Sequence, residues 1–193
     1  MASHARLDVE LIGLLRQPSP FLDQRHLVLL ARMVTGLLLS QTVCFDRWTS
    51  VLPLGNCLAA SWQRRCQRWL CNARIDVEAL YGPLILWALQ HWQKPGQSLH
   101  LALDTTMLWN RCCVVVLSVM AHGRAIPLLW HTLEHPSASV SAGISIALLD
   151  KADRLLARFG VITLLAERAF PWDALLRWFD GQIPLAVRDA PAW

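Results

Sequence analysis

SLHLALDTTMLWNRCCVVVLSVMAHGRAIPLLWHTL, residues 98–133, is the stretch that decides the fold. Three apolar runs rich in β-branched residues follow one another, with short breaks near Asn110 and at Gly123. The spacing predicts three consecutive strands joined as hairpins. Their near-continuous apolar character predicts a sheet covered on both faces. Pro127 has no N–H to give to a ladder, so the third strand is predicted at an edge. One acid interrupts the first run: Asp104, followed by Thr105 and Thr106.

Beyond this stretch the period lengthens. Serines 137, 139 and 141 offer helix caps. In the helix they open, Leu148, Ala152, Leu155, Leu156 and Phe159 form one stripe, while Asp150, Lys151, Asp153, Arg154 and Arg158 point elsewhere. Gly160 supplies the stop. VITLLAE, residues 161–167, reads as a fourth strand ending in Glu167. PWDALLRWF, residues 171–179, reads as a helix with Pro171 in its first turn and Trp172, Leu175, Leu176 and Phe179 on one face. After Gly181, IPLAVR predicts a fifth strand that ends at Arg188. The order β-β-β-α-β-α-β describes an α/β fold with a mixed sheet.

Toward the N-terminus the chain reads as helical. In HLVLLARMVTGLLLS, residues 26–40, Leu27, Leu30, Ala31, Val34, Leu37 and Leu38 recur at helical spacing. SWQRRCQRWLCNARI, residues 61–75, sets Trp62, Cys66, Trp69 and Ala73 on one face and Arg64, Arg65 and Arg68 on another. A third apolar helix is predicted over about 77–92, and QKPGQS, residues 93–98, reads as a linker. The predicted division is a basic helical region over 1–96 and a sheet domain over 97–193.

Composition narrows the classes. Hydrophobic residues make up 54% of the 193, ample for a core. The apolar stretch 27–39 is broken by Arg32, and residues 112–121 reach only half the roughly 20 needed to cross a bilayer. The first ten residues carry acids and no apolar signal region, so a cytoplasmic location is expected. The six cysteines form no C-x-x-C pair and are expected to be reduced and mostly buried. His131 and His135 straddle a strand end and are not read as a metal pair. Residues 1–98 hold 10 basic and 6 acidic residues, and residues 99–193 hold 8 of each. The positive excess therefore lies in the helical part, which points to an anionic partner there.

Asp104 and Glu167 stand on strands that are neighbours in a sheet ordered 3-2-1-4-5. Adjacent carboxylates repel, and a divalent cation between them removes the conflict. Mg²⁺ takes a few carboxylates together with water and phosphate oxygens, and a pair of such ions can clamp the oxygens of a phosphoryl transfer. A second reading of Asp104-Thr105-Thr106 is a turn cap, and a second reading of Glu167-Arg168 is a surface ion pair. The arginine face likewise has two readings, a phosphate-contacting surface and a solvated face over a tryptophan core.

Four segments resemble a known family. LALDTT (101–106), GRAIPLLW (123–130), LLAERAF (164–170) and RRCQRWLCNARID (64–76) are similar to segments of bacterial insertion-element transposases of the insertion-sequence-four type. The resemblance implies a DDE-type catalytic core with an RNase H-like sheet. It implies Asp104 and Glu167 as catalytic metal ligands, with Mg²⁺ or Mn²⁺ as cofactor. It also implies double-stranded DNA at element ends as substrate, contacted by Arg64, Arg65, Arg68, Arg168 and Arg188. The family's second acid is Asp where this chain has Glu167, and the Gly after the following Arg is Ala169. The third acid has no counterpart here, so the resemblance implies a C-terminally truncated or degenerate copy and an incomplete core. The expected function is DNA transposition by metal-dependent strand cleavage and transfer. The alternative is a non-catalytic module that binds DNA or pairs with a full-length transposase, and homo-oligomers fit either reading.

Overall fold

A computed structural model gives the architecture and describes residues 2–16, 23–55, 57–93, 97–159, 162–166, 170, 172–180 and 185–189. The chain divides into two compact units, Met1–Trp87 and Ala88–Trp193. The first contains α1 (Ala2–Arg16), α2 (Gln24–Ser40), α3 (Phe45–Val51), α4 (Ala59–Leu70) and most of α5 (Val77–Trp92). The second contains the end of α5, then β1 (Leu99–Leu108), β2 (Cys112–Ala121), β3 (Arg124–Leu133), α6 (Ala142–Leu156), β4 (Ile162–Ala166), α7 (Trp172–Asp180) and β5 (Leu185–Asp189).

In the helical unit, α2 begins at Asp23, whose Oδ1 accepts the Arg25 N–H at 2.9 Å. It ends at Gln41 in the left-handed region, whose N–H donates to the Leu37 carbonyl. Its buried residues are Leu27, Leu29, Ala31, Met33, Thr35 and Gly36. The single predicted stripe is corrected here, since Leu37 and Leu38 are 39% and 54% exposed. The cause is that α2 is covered on two flanks. Leu15 of α1, a helix that the sequence pattern does not predict, packs with Leu27 and Ala31. On the other flank Leu29 and Met33 meet Trp48 and Leu52 together with Trp62, Cys66 and Trp69 of α4. Ala73, predicted on the α4 face, lies past the end of that helix and is exposed.

The sheet runs β3-β2-β1-β4, with β5 beside β4. The β1/β2 and β2/β3 pairs are antiparallel, and β1/β4 and β4/β5 are parallel. This is the mixed order 3-2-1-4-5 expected from sequence. Both hairpins close on two residues with positive φ, Trp109-Asn110 and His122-Gly123. That pattern is the type I′ turn, whose twist matches the flanking strands. Pro127 lies on edge strand β3, as expected. It faces Ser118 where the register slips between Leu117 and Ser118.

Burial alternates along the central strands. Leu99, Leu101 and Leu103 of β1, and Cys113, Val115, Leu117 and Val119 of β2, are buried. α6 packs on β2 and β3 and buries Ser145, Leu148, Leu149, Ala152 and Leu156. The opposite face is unevenly covered: Ser118 and Thr163 are buried, whereas His100, Asp104 and Thr106 are exposed or half-buried. The expected even cover on both faces is corrected accordingly. On α7, Leu175 is buried but Leu176 is 45% exposed, so the predicted apolar face is narrower. Trp178 Nε1 donates to Asp150 Oδ1 at 2.7 Å, tying α7 to α6.

All six cysteines are free, as expected, but only Cys66 and Cys113 are buried, and Cys44 and Cys71 are exposed. Among the described residues no single helix is long and apolar enough to cross a membrane, and α2 and α3, which reach that length together, bend by 89°.

Candidate functional site

Asp104 sits inside β1, four residues ahead of the end of that strand. Its Cα partner on β2 is Val116, and the ladder continues on both sides of it, through Leu103↔Leu117 and Thr105↔Val115. It therefore caps no turn, and the turn-capping reading of Asp104-Thr105-Thr106 is corrected by position. Because Leu101 and Leu103 point into the core, the two-residue period turns Asp104 to the opposite face, where its side chain is exposed. Its Oδ1 accepts the Thr105 N–H at 2.7 Å.

The parallel ladder between β1 and β4 runs from Leu99↔Ile162 to Leu103↔Ala166. Asp104 is thus the residue that follows the last pair on one strand. Glu167 is the residue that follows it in the sequence of the other. Glu167 and Arg168 themselves lie outside the described residues. Arg188 lies on β5 with its backbone opposite Leu165, and its side chain is outside the description. Among the described residues there is no group of three or more His, Cys, Asp or Glu side chains placed to hold a metal ion. Asp150, an acid on α6, accepts the Trp178 indole N–H on Oδ1. His135, given no metal role by the sequence, accepts the Ser137 N–H on Nδ1 at 3.3 Å.

The helical unit holds a second site. Arg65 and Arg68 of α4 line a groove of about 560 Å³ with Asp23, Arg25, His26 and Leu29 around the start of α2, together with Trp69 and Asn72. Arg64 is not on its wall. The Arg64 carbonyl accepts the Arg68 Nε–H at 3.3 Å. Arg25 and Asp23 form a bidentate pair, with Nη2 to Oδ2 at 3.0 Å and Nε to Oδ1 at 3.1 Å. The hydrogen bond from Arg25 holds the Asp23 carboxyl below its usual range and raises the guanidinium in turn. Among the described residues Arg65 and Arg68 have no carboxylate partner. Trp62 and Trp69 are 1% and 7% exposed and belong to the core, in agreement with the second reading of that helix. Sequence reasoning missed Arg25 and His26. The available signal was Asp23 as a helix cap with basic residues close after it.

The two sites differ in kind. Asp104 presents an exposed carboxylate with one oxygen oriented by a backbone N–H, the donor chemistry of a hard cation ligand. The groove gathers three guanidinium groups against one carboxylate, the chemistry of a phosphate-binding surface. Comparison of the chain with known family models and with curated proteins gives no match.

Proposed function

We propose that this protein is a DNA-processing protein of the insertion-element transposase type, a degenerate copy without the third acid, with Asp104 as a metal ligand and the α2/α4 groove as a DNA-backbone contact. The observation that carries the reading is the ladder that ends at Leu103↔Ala166, one residue short of Asp104 on β1 and of Glu167 in sequence. An acid directly after the last pair on β1, with an acid directly after β4 in the sequence, is the arrangement the resemblance calls for. Open α/β sheets place their ligand sites beyond the carboxyl ends of parallel strands, and the parallel β1/β4 pairing ends one residue before Asp104.

The residues divide the work. Asp104 and Glu167 would hold Mg²⁺ or Mn²⁺, and the Thr105 N–H keeps the Asp104 carboxylate oriented. Such an ion, when bound, supplies activation of water and neutralisation of charge on phosphoryl oxygens. Arg65 and Arg68, joined by Arg25, hold the phosphate backbone, a contact that gives affinity without reading sequence. Arg168, which follows β4 in the sequence, and Arg188 on β5 complete the phosphate contacts in this reading.

A second reading, a DNA-binding module without catalysis, is favoured by the groove, whose cationic walls are complete without any contribution from Asp104. Nicking of supercoiled plasmid in Mn²⁺ separates the two, measured beside duplex binding for the parent, Asp104→Asn and Glu167→Gln. The enzyme reading expects weak residual nicking by the parent, without strand transfer, and its loss in both variants with binding retained. Binding without nicking by the parent selects the second reading. Nicking that survives Asp104→Asn removes Asp104 from catalysis.

A further inference from the structure

The hairpin between β1 and β2 closes on Trp109 and Asn110, with φ of +52° and +53°. Asn reaches this left-handed region at small cost, whereas for a bulky side chain it is an uncommon and strained choice. Type I′ turns are dominated by Asn, Asp and Gly. Packing does not explain Trp109, since its side chain is 84% exposed. Nor does the turn need it, because Gly would close the same turn without strain. The chain thus exposes a large aromatic side chain at a position that gains nothing from it in the folded state. Its neighbours in the turn are Leu108, 38% exposed, and the exposed polar residues Asn110 and Arg111.

We propose that Trp109 is a base-stacking residue, which places its indole on an unpaired nucleobase while Arg111 meets the adjoining phosphate. The inference rests on the reading of this chain as a DNA-processing protein. A nucleic acid suits the tip better than an apolar protein surface does. One aromatic plane flanked by an amide and a guanidinium matches a base and its phosphate, and the four turn residues, 108–111, carry no acid to repel one. Position agrees. β1 runs from Asp104 toward the tip, so Trp109 stands five residues further along, about 17 Å at strand rise. A strand held at Asp104 and running along β1 would reach the indole.

The test uses the full chain with a blunt duplex and a forked duplex carrying 2-aminopurine in one single-stranded arm. The parent is expected to prefer the fork and to quench the 2-aminopurine by stacking. Trp109→Ala should weaken fork binding by about 5- to 150-fold, the usual range for removal of one base–aromatic stack, and leave blunt-duplex binding unchanged. Trp109→Phe should restore most of the affinity. Trp109→Gly should melt at higher temperature than the parent while losing the fork preference, a combination that a structural role for the indole does not produce. Equal binding of the fork by parent and Trp109→Ala overturns the proposal. So does a loss confined to self-association in sedimentation, which would make Trp109 a protein contact. Arginine-dependent duplex binding with an indifferent Trp109 overturns this inference alone. A parent that binds no DNA overturns the proposed function with it.

Discussion

Gly36 in the middle of α2 is kept by its neighbour, because a Cβ there would lie 2.9 Å from Trp48 Cγ. Mid-helix Gly costs about 1 kcal/mol against Ala, so an exposed site would favour the replacement. Here Gly36→Ala should destabilise the helical unit by about 1–3 kcal/mol through overpacking, read as a lower urea midpoint at unchanged slope. A midpoint at or above the parent's would show that Trp48 yields freely. No local sequence signal pairs Gly36 with Trp48, since 12 positions and a turn separate the two. Cys66 makes a second residue-scale case. Burial pushes its thiol up to about 11 from the ordinary 9.0. Below pH 9.0 the thiol keeps its proton whether the chain is folded or not. Between that value and about 11 the unfolded chain releases it first, so stability falls as pH rises through that window. Urea melts at about pH 8 and about pH 10.5 should show a larger alkaline loss in the parent than in Cys66→Ala, and equal losses would remove Cys66 as the cause.

At the scale of elements, legibility followed the number of neighbours. Strands β1 to β3 were readable because hairpin-linked strands carry their own signals: β-branched runs, a two-residue break, and Pro127 at the edge. α6 was readable because one sheet face covers it, so one stripe located most of its buried side and missed Ser145 and Leu149. α2 was not readable in detail because two flanks bury it, and a single stripe averages them. The α6–α7 contact was invisible for another reason. Asp150 looks like a solvated helix acid, yet it accepts the Trp178 N–H at 2.7 Å from a residue 28 positions away. Trp178→Phe removes that donor while keeping the aromatic bulk, and should cost about 1.5–3 kcal/mol, as for a hydrogen bond to a charged group. Asp150→Ala in the same background should then add little. Independent, additive losses in the double mutant would show that the contact does not couple the two helices.

At the scale of the whole molecule, charge and topology set apart two candidate sites. The positive excess of residues 1–98 includes one groove, of which Arg65 and Arg68 were legible in the sequence and Arg25 and His26 were not. Arg64, off that groove, serves as an internal control. Arg65→Ala with Arg68→Ala should weaken duplex binding and flatten its salt dependence, by up to about 0.9 in log–log slope for each phosphate no longer neutralised, whereas Arg64→Ala should leave the slope near the parent's. Equal effects of all three would describe a diffuse basic face and not a groove.

Asp104 and Glu167 are 63 positions apart in the chain, and the parallel pairing of β1 with β4 brings their two strands into register up to the residue before each acid. The most direct measurement is calorimetric titration of Mn²⁺ into the parent, Asp104→Asn and Glu167→Asp. The account predicts weak, saturable binding by the parent, its loss in Asp104→Asn, and somewhat tighter binding in Glu167→Asp, where the shorter acid matches the ligand length the resemblance implies. Mn²⁺ binding that survives Asp104→Asn unchanged would contradict it.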